Sequence, residues 1–167
     1  LHIRLPYWCR FTRRVAPGAS DPVNILLNLA QTALHRQLVL AIRLAGLVPS
    51  IGLLHEPRPG HNALASDLQE PFRHLMDRAA IHIARTLQPK DFRDDPAGPY
   101  SVTIAPAAIR HAVAVIHRSF AMAATQAGHT EAHTYLTHFS LSARALRRFM
   151  LDRSQPFIPF QHEESTP

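Results

Sequence analysis

The sequence predicts a mainly α protein, with a single helical domain of about four main helices and a short β-hairpin near residues 98–104. In four long segments the apolar residues recur every three or four positions, which is helical spacing. The 167 residues are 46% hydrophobic and 18% charged, as in an ordinary globular domain. We therefore expect a helical catalytic-type domain at 21–152, a basic N-terminal segment at 1–20 and a loosely ordered tail at 153–167.

The first predicted helix begins with a strong signal. Asp21 can cap the helix with its carboxylate, and Pro22 follows at the first helical position. The helical pattern runs to about Ala45, where Gly46 can end it. The segment is apolar but is interrupted by five polar residues, so we expect no bilayer span and no membrane partner. These residues are Asn28, Gln31, His35, Arg36 and Arg43.

Three further helices are predicted within 62–87, at about 105–127 and at about 134–152. Pro71 is expected near the first turn of the second helix, and Gly128 is expected to end the third. The run YSVTI, which ends at Ile104, favours a small strand. The apolar faces predict one shared helical core that includes Leu27, Leu34, Leu38, Phe72 and Met76.

The charge balance suits a polyanionic partner. Eighteen Lys and Arg residues against 12 Asp and Glu residues give a net charge of +6, and Lys90 is the only lysine. Arg binds phosphate with a forked pair of donors, so Arg10, Arg13 and Arg14 in the aromatic-rich first segment are candidate DNA contacts. Two alternatives stay open. A GC-rich genome also enriches Arg, and the segment can equally pack on its own domain.

The single cysteine and the first residues of the chain indicate where in the cell the protein is expected. Cys9 is the only cysteine, which excludes a disulfide framework and a cysteine-based zinc site. The first residues show no signal-peptide pattern. We therefore expect a reducing, cytoplasmic location.

The most unusual chemistry lies in LLHEPRPGHNALASDLQEPFR, residues 53–73. Asp67 and Glu70 are three residues apart, so on a helix both carboxylates share a face, and His55 precedes them on a loop. Two carboxylates and an imidazole suit Mg²⁺ or Mn²⁺, and Arg58 and Arg73 flank the set as candidate DNA contacts. The alternative is a capping box, in which Asp67 caps the helix and Glu70 reaches back.

Other candidate sites are weaker. His129, His133 and His138 can cluster, although such spacing arises readily in a chain with 12 histidines. The sequence contains no glycine-rich phosphate loop, no G-x-S-x-G and no zincin motif. The stretch 53–73 is therefore the leading candidate.

Three linked motifs resemble a known family. DPVNILLN at 21–28, GLVPSIGLLHE at 46–56 and LASDLQEPFR at 64–73 occur in the order and at the intervals of the CRISPR-associated endonuclease/integrase of spacer acquisition. The resemblance is to the C-terminal helical domain of that family, the first of its two universal adaptation proteins. It weakens beyond about residue 120.

The resemblance implies a metal-dependent DNA enzyme that inserts captured fragments into a CRISPR array by transesterification, in antiviral defence. His55 matches the family's metal-binding histidine, Glu70 its later acidic ligand, and Asp67 a second acidic position. All three are therefore implied as catalytic and metal-binding residues, with Mg²⁺ or Mn²⁺ as cofactor. Double-stranded DNA, a homodimer in the full-length protein and the second, smaller adaptation protein are the implied partners.

The sequence also departs from the family pattern. The family's first metal ligand is a Glu upstream of the D-P-x-N segment, whereas the first acidic residue here is Asp21, inside that segment. No part of this sequence resembles the family's N-terminal β domain, and NLAQTALHRQL lacks an aromatic residue often found there. We therefore expect a truncated C-terminal part or one piece of a split gene. The alternative is a non-catalytic DNA-binding or scaffold remnant of the same fold.

Overall fold

A computed structural model describes residues 5–15, 21–56, 58–95 and 102–162. The elements are helices with two small hairpins, so the predicted mainly helical fold is confirmed. The helices are α1 (Pro22–Leu44), α2 (Ala63–Gln69), α3 (Arg73–Thr86), α4 (Pro106–Ala121) and α5 (Tyr135–Leu151). The strands are β1 (Phe92–Asp94), β2 (Val102–Ile104), β3 (Ala123–Thr125) and β4 (Ala132–Thr134). Strand β1 pairs antiparallel with β2, and β3 pairs antiparallel with β4.

Helix α1 begins and ends as its sequence predicts. The Asp21 carboxylate accepts a hydrogen bond of 3.0 Å from the Asn24 amide, which is a helix cap. At the other end, Gly46 adopts φ +75°, and the Leu47 amide donates to the Ile42 carbonyl at 3.0 Å. This bond and the left-handed glycine form a Schellman motif. By length and composition alone α1 is also long and apolar enough to cross a membrane, and 44% of its most apolar stretch is buried within the protein.

The second predicted helix is interrupted. Residues Glu70–Phe72 form a 3₁₀ turn between α2 and α3. Pro71 lies in this turn and has no backbone N–H to donate to the residue four positions earlier, so the α-helical ladder cannot continue through it. Pro71 therefore divides one predicted helix into two.

The region after α4 differs from its prediction. Helix α4 ends at Ala121 rather than near residue 127, and Gly128, at φ +80°, lies in the turn of a β3–β4 hairpin. Ala-rich residues favour a helix, but cross-strand pairing holds this segment extended, and the Ala127 amide donates to the Gln161 carbonyl at 2.8 Å. The predicted hairpin near 98–104 exists as β1–β2, with its first strand earlier than expected. The part of that prediction at 98–101 lies outside the described residues.

The chain divides into two compact units, Leu1–Thr32 with His74–Ser119 and Ala33–Arg73 with Phe120–Pro167. The five residues predicted to share a core are all buried, but Leu27 and Met76 belong to the first unit and the other three to the second. The predicted domain boundaries stay a prediction.

An aromatic cluster fills the core of the second unit. Phe72 stacks on Phe160 and meets Phe139 edge to face, with both pairs of ring centroids 4.8 Å apart. Phe160 is 4% exposed although it lies in the predicted loose tail. Phe160 therefore anchors the tail through one buried aromatic ring, while most of the other described tail residues are exposed. Residues 163–167 lie outside the described residues.

Candidate metal centre

The loop before α2 surrounds one carboxylate. Asp67 lies inside α2, and its side chain is 6% exposed. Its Oδ2 accepts hydrogen bonds from the amides of Leu53 at 2.5 Å and Leu54 at 3.1 Å. Its Oδ1 accepts from the His55 amide at 3.1 Å and faces the His55 Nδ1 at 2.5 Å. The capping-box interpretation is therefore wrong, because Asp67 binds the preceding loop from the middle of a helix.

These hydrogen bonds determine the charge of the Asp67 carboxyl group. Burial alone raises its pKa, but the hydrogen bonds from the His55 side chain and from the amides of Leu53, Leu54 and His55 outweigh burial. The net effect is an Asp67 pKa below its ordinary value. The carboxylate is therefore ionised at neutral pH.

Gly52 lets the loop pass close to α2. A Cβ atom at this position would collide with the His55 carbonyl oxygen and would lie 2.8 Å from the Ala63 Cβ. It would also lie 3.1 Å from the Asp67 Oδ2. Any larger residue must displace the loop that carries His55, so the glycine in GLVPSIGLLHE has a steric explanation.

The His55 side chain is fixed at one nitrogen and accessible elsewhere. Its Nδ1 faces Asp67, while 44% of the side chain is exposed. The His61 ring lies 6.3 Å away between centroids, and the Ser66 Oγ lies 3.2 Å from the His61 Nε2. One histidine is therefore oriented by a buried carboxylate, and almost half of its side chain is exposed.

Glu70 has a different environment. It begins the 3₁₀ turn, its side chain is 53% exposed, and its carboxylate pairs with Arg73 at 3.1 and 3.2 Å. The structure thus joins His55 to Asp67 and Glu70 to Arg73. Within the described ranges, no group of three His, Cys, Asp or Glu side chains is arranged to hold a metal ion. The three-residue ligand set stays a prediction.

The predicted DNA-contact arginines fall into two groups. All five are exposed, but Arg73 pairs with Glu70, and Arg14 also has partners within the protein. Arg14 donates to the side-chain oxygens of Asn24 at 3.1 Å and Asn28 at 2.7 Å. The alternative in which the segment packs on its own domain therefore describes Arg14.

The asparagine of the D-P-x-N motif has a structural role that the sequence did not show. Asn24 of D-P-x-N is fully buried and holds the segment before α1. Its Oδ1 accepts from the Val15 amide at 2.8 Å and from Arg14, while its Nδ2 donates to the Arg13 carbonyl at 2.9 Å and to Asp21 at 2.6 Å. Both donors and both acceptor positions of the amide are occupied. A polar residue at the third helical position was the only available signal.

The weaker histidine cluster is partly formed. His133 and His138 have ring centroids 5.8 Å apart, and both line a cavity of about 210 Å³ with His129. His138 is 2% exposed, and its Nε2 lies 2.8 Å from the Ala124 carbonyl oxygen. Burial lowers the His138 pKa, as do the neighbouring histidines, although the bond to Ala124 raises it. The buried ring is therefore neutral at neutral pH.

Comparison with known proteins identifies the family. The family model described as CRISPR associated protein Cas1 matches residues 2–117. The chain therefore belongs to the Cas1 family. It is 40% identical over 92 residues to CRISPR-associated endonuclease Cas1 1 of Thermodesulfovibrio yellowstonii, which covers 54% of this chain and 29% of that protein. It is 42% identical over 74 residues to the Cas4/Cas1 fusion of Geobacter sulfurreducens, which covers 44% of this chain and 13% of that protein.

Solved structures extend the similarity along the chain. A casposase bound to integration product superposes with a TM-score of 0.85 and 27% identity, covering 97% of this chain and 48% of that one. A partial Cas6-RT-Cas1–Cas2 complex gives a TM-score of 0.79 and 29% identity, covering 95% and 47%. A CAS1 protein from Thermotoga maritima, at 16% identity and a TM-score of 0.79, shares the fold. The chain thus spans about half of these structures and less than a third of the T. yellowstonii protein.

Proposed function

We propose that this chain supplies part of the metal-dependent active site of a DNA endonuclease/integrase that inserts spacers into a CRISPR array. The carrying observation is the oriented His55 on the G-L-x-P-x-x-G-x-L-H-E loop, held by the acidic residue of the next motif. A metal-binding histidine characteristically donates its second ring N–H to a carboxylate. Family membership supports the reaction class.

The available donors fit a hard divalent cation. His55 offers its Nε2 edge, and Glu70 offers a half-exposed carboxylate whose present partner is Arg73. Mg²⁺ or Mn²⁺, when bound, polarises the phosphoryl group and promotes ionisation of the attacking hydroxyl. His55 and Glu70 bind and orient in this proposal. The family's upstream Glu, for which this sequence offers no candidate, is proposed as the third ligand.

The proposed reaction exchanges one phosphodiester for another. A 3′-hydroxyl oxygen of the incoming DNA forms a bond to a target phosphorus, and the bond from that phosphorus to a 3′-oxygen of the target strand breaks. The leaving oxygen takes up a proton and becomes a new 3′-hydroxyl, so no external energy source is needed. Catalysis then depends on placing the attacking oxygen and the phosphate correctly.

The proposal extends to partners. Double-stranded DNA is the proposed substrate, supported by the casposase bound to integration product. The second, smaller adaptation protein is a proposed partner, supported by the Cas1–Cas2 assemblies among the structural neighbours. A homodimer of the full-length protein and a cytoplasmic location are further proposals from the family resemblance and the sequence.

The exposed arginines support DNA binding through phosphates. Helix α5 presents Arg144, Arg147 and Arg148 on its solvent side, and Arg10 and Arg13 are exposed elsewhere. We expect the logarithm of the DNA-binding constant to fall linearly with the logarithm of salt concentration. Replacing all three α5 arginines with Gln should lower the slope by roughly one per lost phosphate contact. A binding constant that does not change with salt would contradict phosphate contacts.

The test of catalysis is a Mn²⁺-dependent strand-transfer and nicking assay on duplex DNA. We expect weak activity from this chain alone, abolished by His55→Ala or Glu70→Ala, and a clear increase when the family's Glu-bearing upstream region is supplied. Asp77→Ala, which removes a carboxylate on α3, is the matched control. Efficient cleavage that persists with Glu70→Ala would place the site elsewhere.

The alternative function is a non-catalytic DNA-binding or scaffold remnant. The Glu70–Arg73 pair favours it, because this ion pair occupies the predicted acidic ligand. In that case the chain binds DNA with the same salt dependence but shows no Mn²⁺-dependent strand transfer, even with the upstream region supplied.

A further inference from the structure

We propose that Asp67 is a positioning residue that fixes the loop and the tautomer of His55, and that it does not itself bind the metal ion. This inference rests on the proposed function, in which His55 is a metal ligand. It replaces the three-residue ligand set with two ligands and one supporting carboxylate. The observations that carry it are the hydrogen bonds, the burial and the steric fit around Asp67.

The Asp67 carboxylate has no acceptor position left for a cation. An ionised carboxylate offers about four lone-pair sites on its two oxygens. Oδ2 accepts from two backbone amides, and Oδ1 accepts from one amide and faces the His55 ring. Coordination of a metal by either oxygen would remove at least one of these bonds and leave a backbone N–H or the ring without its acceptor.

The same bonds determine the tautomer of His55. An ionised carboxylate can only accept, so the proton in the short contact belongs to the His55 Nδ1. The neutral ring then carries its lone pair on Nε2. This nitrogen is the one that can bind a metal ion, and the side chain is 44% exposed.

The position of Asp67 is itself fixed. Its neighbours on α2, Leu64 and Leu68, are 1% and 3% exposed, so packing prevents the helix from rotating. Gly52 lies against the same carboxylate, with no space for a Cβ. A packed helix therefore holds the loop that carries His55, which is how a positioning residue limits the motion of the group it serves.

The direct test is nitrogen-15 NMR of metal-free protein labelled at histidine, at about pH 8.5, where unperturbed imidazoles are neutral. The His55 signals are identified by their loss in His55→Gln. We expect a protonated, pyrrole-type Nδ1 and a pyridine-type Nε2. In Asp67→Asn the two types should become mixed, whereas Asp77→Asn, the matched control, and Glu70→Gln should leave His55 unchanged. A wild-type His55 protonated on Nε2 overturns the proposal even if the Asp67 variant does not fold.

The second test separates positioning from ligation. Mg²⁺ is titrated into wild-type protein while the amide protons of Leu53, Leu54 and His55 are followed. If Asp67 only positions, these carboxylate-bonded amides keep their downfield shifts at saturation. If Asp67 becomes a ligand, at least one moves upfield as it loses its acceptor, and the proposal is overturned.

The Asp67→Asn variant should also bind Mn²⁺ about 10–100-fold more weakly, as is typical when a residue supporting a metal-binding histidine is lost. Unchanged Mn²⁺ affinity would overturn the proposal. Gly52→Ala disturbs the same loop without removing a polar group and should weaken Mn²⁺ binding in the same direction. The NMR tautomer is measured without metal or DNA, so it can succeed even if the strand-transfer assay shows no activity.

Discussion

Two family motifs each contain one buried polar side chain that makes several hydrogen bonds. We call these two residues, Asn24 and Asp67, hubs, and they have different roles. Asn24 in D-P-x-N is fully buried and uses every donor and acceptor of its amide on the segment before α1. Asp67 uses its carboxylate on the loop before α2, but this loop carries an accessible imidazole. Both side chains use all of their hydrogen-bonding positions. Asn24 therefore stabilises the fold, whereas Asp67 orients the His55 imidazole.

The two hubs differ in the groups that they hold in place. Asn24 holds backbone atoms of Arg13 and Val15 and the side chain of Arg14. Asp67 holds three backbone amides and one ring nitrogen whose partner nitrogen remains available. The motif pattern alone would not distinguish these roles, because both residues are polar and both lie in a helix.

The largest expected effect comes from a residue outside both hubs. Leu34 is completely buried, so Leu34→Ala should lower the free energy of unfolding by roughly 2–5 kcal/mol. Urea denaturation at neutral pH measures this loss. Because the apolar Leu34 side chain makes no hydrogen bond to Asn24 or Asp67, the His55 tautomer should be unchanged in the folded fraction. Unchanged stability would remove Leu34 from the core.

The second-largest loss of stability is expected from Asn24→Ala. Its loss leaves the Val15 amide and the Arg13 carbonyl without partners, which costs about 1–3 kcal/mol for a buried group. The matched control is Asn28→Ala, which removes one exposed hydrogen bond to Arg14 and should cost less than about 1 kcal/mol. Equal losses in the two variants would show that burial of the hub contributes nothing.

The smallest expected effect is a pH dependence of stability. Only Asp67, the hub that carries a charge, should show it. Asp67 has a folded-state pKa below its ordinary value of 3.8, so its contribution to stability is complete above that value. The contribution is lost as the pH falls through the lower folded-state pKa. The stability difference between wild type and Asp67→Asn should therefore shrink from about pH 6 to about pH 3, measured by urea denaturation. The Asn24→Ala difference should stay constant, since an amide does not titrate in this range.

Much of the fold followed from local signals. Asp21-Pro22 marked the start of α1 and Gly46 its end, because capping and left-handed glycine are local chemistry. The extended form of β3 did not follow, because it depends on pairing with β4, and the hairpin turn is also held by Gln161, which is distant in sequence. The burial of Phe160 was missed for the same reason.

The sequence named the residues of the candidate site but not the contacts that they make. Motif order identified His55, Asp67 and Glu70, but spacing suggested that the two carboxylates act together. The structure instead joins Asp67 to the loop and Glu70 to Arg73. Glu70 begins a 3₁₀ turn that contains Pro71, and Gly52 lets the loop approach α2, and helical spacing alone reveals neither contact.

The central claim is that one hub stabilises the fold while the other prepares a metal-binding imidazole. The most direct measurement is the Mn²⁺ affinity of folded wild type, Asn24→Ala and Asp67→Asn, by electron paramagnetic resonance, set beside their free energies of unfolding. We predict wild-type affinity for the less stable Asn24→Ala and about 10–100-fold weaker binding for Asp67→Asn. Affinities that simply followed stability across the three proteins would contradict the claim.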